Sequence, residues 1–480
     1  MTKILKMAAT SLLVSGMTFP LPLLAGKIIG APPLPATSDS QVDDTATDSA
    51  NMFSIRLQHR FNDSQPLPPE TIAIVSEAFA KNPLVFFETL KKNFSKHLEQ
   101  QNKPVQVNTE LELLLPKGKQ ECLDKLPTLS IETQIDKAGA GQSKVVFPAF
   151  RHQVPKKCGQ GLIDWKGLDG QFNFTDQFEN LTANLNIAGL TIEEDGVFGI
   201  SLGKTALSGV FDSRFMPIQM GLNLPSLKAG GNTDRQFDLQ QVVFKLNTEK
   251  TPKGVDLNNV NFNVGHLDFA GFGSKFRLEG LAVTTSGEEQ NGSINYTVQT
   301  QLGQLAMPAM PRFKEGLEVS HEGKLVFERI DEEALFALQT LARQLAGQQY
   351  NPMLQMMVLS QLMQVAPKLL AKSPGVALNS LVLKTSKGDL QGQFNVSLDG
   401  QKVTSLTTPA ALIRALQAQA NFTIGNELLE LITATFKISL IKALLVDAGD
   451  GKSKKLIAVL KGRDLRINGM TIPLFGAPRH

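Results

Sequence analysis

Tryptophan occurs once and tyrosine twice in 480 residues, against 28 phenylalanines, so nearly all the aromatic surface lacks a hydroxyl or an indole N–H. Rings without a polar handle belong in apolar surroundings and do not build a sugar-stacking surface. Cysteine is as scarce. Cys122 and Cys158 are the whole complement, and no two of His59, His97, His152, His266, His321 and His480 stand at ligand spacing on a helix. A zinc site legible in sequence is thereby excluded, and no metal or other cofactor is expected. Charge of one sign is missing too: 48 Lys plus Arg meet 45 Asp plus Glu for a net charge of +3, which gives no global reason to bind nucleic acid.

Catalytic constellations are equally thin. Gly265-His266-Leu267-Asp268 with Ser274 contains triad residue types, but the stretch reads as strands and Ser274 sits in no nucleophile elbow. Gly271 and Gly273 lack the third glycine and the following helix of a dinucleotide fingerprint. Glu193-Glu194-Asp195 before Gly196 reads as a solvated turn rather than a cation site. No catalytic residue is assigned, and the expectation is a protein that is not an enzyme.

What is present begins at the amino terminus. Lys3 and Lys6 precede an uncharged run from Met7 to Ala25, the layout of an export signal. Roughly nineteen residues at about 1.5 Å each reach about 28 Å, enough to span a bilayer as an uncleaved anchor. Leu23 is a poor residue three positions before a cut at Ala25, which favours the anchor; the alternative is a cleaved signal and a periplasmic protein. Positive charge ahead of the run sends the remainder outward. In that oxidising compartment Cys122 and Cys158 would close a disulfide; two buried free thiols are the other reading.

The body combines two periodicities. Leu67 to Gln100 reads as helix, with Phe86, Phe87, Leu90, Phe94 and Leu98 at helical spacing. From Pro104 to about Ile330 the period is two, as in Val105, Val107, Thr109, Leu111 and Leu113, in Ile218, Met220, Leu222 and Leu224, and in Val260, Phe262 and Val264. Gly167, Gly170, Gly189, Gly209 and Gly280 mark turns or bulges. Helices return after Ile330. Asp331 caps one that carries Leu335, Leu338, Leu341 and Leu345, and Pro352 to Lys372 forms the next, where Met353, Met356, Met357 and Met363 offer a hydrophobic ligand or partner surface beside the plainer reading of core. A hairpin over Val376–Leu398, a helical segment from Asn426 through Val446 and a strand pair turning at Asn468-Gly469 complete the chain. Lys452, Lys454 and Lys455, with Lys461 and Arg463, read as a solvated hairpin face or as a contact for anionic lipid head groups.

Four segments resemble the YdgA-like family of Gram-negative envelope proteins, whose biochemical activity is unassigned: Asp164-Trp165-Lys166-Gly167-Leu168-Asp169-Gly170, Ile330-Asp331-Glu332-Glu333-Ala334-Leu335, Thr385-Ser386-Lys387-Gly388-Asp389-Leu390 and the closing Leu465-Arg466-Ile467-Asn468-Gly469-Met470. The resemblance implies an inner-membrane-anchored protein with a periplasmic body and supplies no catalytic residue.

These readings give an α+β protein whose elongated, mostly antiparallel curved sheet carries helices near the amino terminus and in the last third. A signal anchor or signal peptide (1–27) and a Pro- and Ser-rich linker (28–51) lead into a helix plus a large β region (52–330) and an α+β region (331–480). The function they favour is binding or scaffolding in the cell envelope through a hydrophobic groove, with lipid or another envelope protein as partner and the membrane engaged by the amino-terminal segment. An envelope hydrolase with a non-standard site is the alternative.

Overall fold

Val105, Val107 and Thr109 alternate with exposed or half-buried polar residues, and in the computed structural model of the chain they line the buried side of one strand. The structure describes residues 51–62, 64–75, 92, 94–114, 121–123, 126–175, 180–194, 198–213, 215–231, 235–271, 273–309, 316–345, 352–403, 409–436, 440–462 and 464–473. The leader at 1–27 and the linker up to residue 50 lie outside them. Two compact units result, one comprising residues up to Gly199 with Val210–Met216, the other Ile200–Gly209 with the chain from Pro217 onward.

Unit one is built from β1 (Asn51–Phe61), β2 (Glu70–Val75), β3 (Val105–Leu114), β4 (Leu129–Ile135), β5 (Gly141–Phe147), β6 (Phe150–Val154), β7 (Gly161–Trp165), β8 (Leu168–Phe174), β9 (Asn180–Ile187) and β10 (Leu190–Glu194). Antiparallel pairing gives the order β2-β1-β3-β4-β5-β8-β9 and a separate trio β6-β7-β10. Phe61, Val105, Val107, Ile135 and Phe174 form the core, and Phe94 and Leu98, from a helical segment at 94–98, pack onto it. Part of the helix expected over Leu67–Gln100 is therefore corrected: Glu70–Val75 pairs with β1, seating Ile72 opposite Ile55. Phe86, Phe87 and Leu90 lie outside the described residues.

The short strands β11 (Phe198–Leu202) and β12 (Thr205–Asp212) run through the division between the units. Unit two then continues with β13 (Pro217–Gly230), β14 (Gln236–Lys250), β15 (Asp256–Gly271), β16 (Ser274–Gln290), β17 (Ser293–Met307), β18 (Leu317–Asp331), β19 (Gly375–Thr385), β20 (Gly388–Leu398), β21 (Leu416–Gly425), β22 (Val446–Asp447), β23 (Ser453–Lys461), β24 (Asp464–Ile467) and β25 (Met470–Pro473). From β13 to β21 each strand pairs antiparallel with the next, and β23, β24 and β25 continue the series. Helices α1 (Glu332–Leu345) and α2 (Pro352–Ala371) fill the β18–β19 connection, α3 (Pro409–Ala415) precedes β21, and α4 (Asn426–Phe436) and α5 (Leu440–Leu444) follow it. The long connections thus carry helices while neighbouring strands stay neighbours.

Asp331 does cap α1, accepting from the Ala334 N–H at 2.9 Å. The helical reading from Asn426 through Val446 is corrected at its end, where Val446–Asp447 pairs with Lys454–Lys455 as strand. The fold is mostly antiparallel as expected but richer in β-structure than an α+β protein, because nearly every alternating run became a strand of a ladder.

One irregularity orders the first strands of unit two. The apolar alternation skips a residue at the same level in five strands: Leu224 to Leu227, Leu239 to Val242, Val264 to Leu267, Leu278 to Leu281 and Leu302 to Leu305. An extra residue per strand at one level acts as an aligned bulge and keeps both flanks facing the same way. Gln241 and Gly280 take φ of +54° and +64° there, and the Gln241 side chain fills the place that a Cβ on Gly265 would need.

Candidate functional site

Directly paired residues share a face of a sheet, so the register converts short alternating runs into continuous surfaces. Leu222, Phe244, Phe262, Val283, Thr300, Gly323, Leu381, Gly392, Phe422 and Leu456 form one row across ten strands of unit two. Beside it runs Leu224, Val242, Val264, Leu281, Leu302, His321, Leu383, Leu390 and Ile424. The opposite face is wet: Lys245, Asn261, Thr284, Gln299, Lys324 and Ser380 make one of its rows.

Helices cover the apolar face locally. At one end of the strands Leu428 and Leu429 of α4 join Ile424 and Leu390; at the other, Leu335 of α1 packs on Val255, Leu257 and Ile294. Between these ends Leu222, Phe244, Phe262, Val283, Leu381, Phe422 and Leu456 are only half-buried.

Polar groups on this face are few. Tyr296 and Thr285 spend their hydroxyls on backbone atoms of Asp256, Asn258 and Val260. In the middle, Thr300 Oγ1 lies 2.7 Å from His321 Nε2. Gly323 makes room for that imidazole, since a Cβ there would stand 2.9 Å from its Cε1. Among the described residues His321 Nδ1 has no protein hydrogen-bond partner.

Of the methionines singled out in sequence, Met356 (73% exposed), Met357 and Met363 stand exposed on α2 with Leu362, while the side chain of Met353 lies outside the described residues. Helices α1 and α2 are pinned at their base by Glu333, which bonds both Lys253 (3.1 Å) and Lys368 (2.9 Å); the two ammonium groups, Lys368 foremost, hold its carboxyl down at about 2. Cys122 and Cys158 form a disulfide, with Cα atoms 5.6 Å apart. His152 Nε2 at 2.9 Å from the Cys122 carbonyl and Lys157 at 2.8 Å from Glu121 clip the same loop to the β6–β7 hairpin.

The triad types come only partly together. His266 Nε2 is 3.1 Å from Asp268 Oδ2, but the hydrogen bond from Arg277 foremost, and then the charge of His266, hold that carboxyl low, and Ser274 opens β16 opposite Gly271. Gly199-Ile200-Ser201-Leu202-Gly203 matches the letters of a nucleophile elbow, yet it lies along β11 and leads into β12, without the strand-to-helix turn that the elbow needs. Among the described residues no three His, Cys, Asp or Glu side chains are grouped to hold a metal, and Asp195 lies outside them. In unit one His59 is buried between Phe61, Phe94 and His97, with Nδ1 2.8 Å from Thr109 Oγ1. Burial first, and the neighbouring His97 second, hold this imidazole below its usual range against a weaker pull from Glu70.

The geometry defines a class: antiparallel β proteins with one long apolar sheet face, partly roofed by short helices. A family described as bacterial protein of unknown function (DUF945) matches residues 105–456, and the chain belongs to that family. No curated protein and no solved structure matches the chain. Among the described residues no helix is long and apolar enough to cross a membrane.

Proposed function

We propose that this protein is a non-enzymatic, YdgA-like component of the bacterial envelope that shelters a lipid along the apolar face of unit two. The reading rests on one observation, the register that lines apolar residues across ten strands and leaves most of them half-buried. At about 4.8 Å per strand that row runs about 43 Å, longer than the roughly 30 Å hydrocarbon core of a bilayer. An acyl chain laid there replaces water over aliphatic surface at about 25 cal/mol per Å². His321, whose Nε2 lies beside Thr300, offers its other ring nitrogen, Nδ1, as a polar handle for an ester or carboxyl oxygen.

The uncharged leader, the four YdgA-like segments and the Cys122–Cys158 bridge support a periplasmic body anchored at the inner membrane. Met356, Met357 and Met363 add a flexible apolar surface suited to an envelope protein partner.

Native purification followed by mass spectrometry of extracted lipids tests the proposal. Lipid should co-purify in stoichiometric amount, and the variant Phe262→Glu with Val283→Glu should lose it while keeping its circular dichroism spectrum. A native protein free of lipid, or a variant that retains its full load, would sink the reading.

A further inference from the structure

We propose that the carboxyl-terminal end of unit two docks on a bilayer containing anionic phospholipid, through the wet face of β22, β23 and β24. This surface is distinct from the leader and does not depend on the apolar face being a lipid site. Between residues 440 and 473 the sequence holds seven basic residues against three acidic ones, more positive charge than the +3 of the whole chain.

Register gathers that charge. Lys455, Ile457, Val459 and Lys461 alternate onto one face of β23, where Val446 pairs with Lys455 and Arg466 with Val459. Two cations of the segment are neutralised, Lys442 by Glu430 and Lys454 by Asp447. Among the described residues Lys452, Lys455 and Arg466 form no ion pair, and Lys461 forms none although Asp464 stands opposite it on the same face.

The same patch breaks the polar rule of its face. Val446 and Ile457 are 43% and 41% exposed, where neighbouring positions of β21 hold Asn421 and Thr423. Leu444, 37% exposed, joins them because Asn468 spans the gap: its Nδ2 donates to the Leu444 carbonyl at 2.7 Å and its Oδ1 accepts from the Ile457 N–H at 2.8 Å. Bare aliphatic groups ringed by unpaired cations match the head-group layer, which takes the first into the acyl boundary and the second onto phosphates. Aliphatic rather than aromatic side chains count against nucleic acid, whose bases stack on rings.

The test uses the full chain. Both native cysteines are bonded to each other, so Val446→Cys presents one free thiol for the environment-sensitive fluorophore NBD, and Asn261→Cys, exposed on the same face of β15, serves as reference. Vesicles of mixed phosphatidylcholine and phosphatidylglycerol should raise and blue-shift emission at position 446 but not at 261, and molar salt should reverse it. Replacing Lys452 and Lys455 by Gln should weaken the response roughly thirtyfold. Salt reversal needs no charge variant, so the test survives a misfolded one. An absent response, an equal response to pure phosphatidylcholine, or an equal response at position 261 would overturn the proposal; lipid retention in the apolar face is read separately by mass spectrometry.

Discussion

Gly280 holds φ at +64° within β16, at the level where five strands each carry an extra residue. A Cβ there meets only ordinary contacts at Gly303, so the cost of Gly280→Ala is the left-handed conformation itself, about 1 kcal/mol. A urea titration should show that loss with an unchanged slope, and Gly280→Asn should lose less. His59 makes a second residue-level prediction. Its folded pKa lies below the unfolded value of about 6.5, so the stability it contributes is full above that pH. As pH falls from about 6.5 toward the folded value, the unfolded chain takes up a proton that the folded one refuses, and stability declines. The urea midpoint should therefore drop with acidification in the native protein, and His59→Gln should flatten part of that slope; parallel profiles would refute the assignment.

At the scale of elements, the bridge between Cys122 and Cys158 closes a span of 36 residues around β4, β5 and β6, and its reduction should cost about 3–4 kcal/mol. Both thiols should resist alkylation in the native protein and label after reduction, with a lower melting temperature in reductant. Strands whose runs alternated cleanly, such as Val260-Phe262-Val264 and Ile218-Met220-Leu222-Leu224, were legible from residue type alone. So was the closing turn, because Asn468 and Gly469 both take positive φ. Glu70–Val75 was misread because its two isoleucines are too few to outweigh the helical spacing downstream; only pairing with β1 makes it a strand. The skip from Leu224 to Leu227 hid the continuation of β13 for a related reason, since a break in period two reads as a strand end unless neighbouring strands break at the same level.

At the scale of the molecule, the candidate site was legible in kind but not in place. Abundant phenylalanine pointed to greasy surroundings, and Phe244, Phe262 and Phe422 fall in one row across the second unit. No single strand reveals that row, which exists only through registers set by successive hairpins. His321 was likewise one of six unremarkable histidines until its parity with Val319 and Leu325 placed it on the apolar side. Met356, Met357 and Met363 stand exposed on α2, but the larger apolar surface lies on the strands. Because almost every strand of the second unit is bonded to its own chain neighbours, duplication of one hairpin would lengthen the sheet by about 10 Å without rethreading any connection. Relatives with more or fewer hairpins would then differ in the length of the apolar row, which makes strand number a quantity that gene-level insertion adjusts in steps of two.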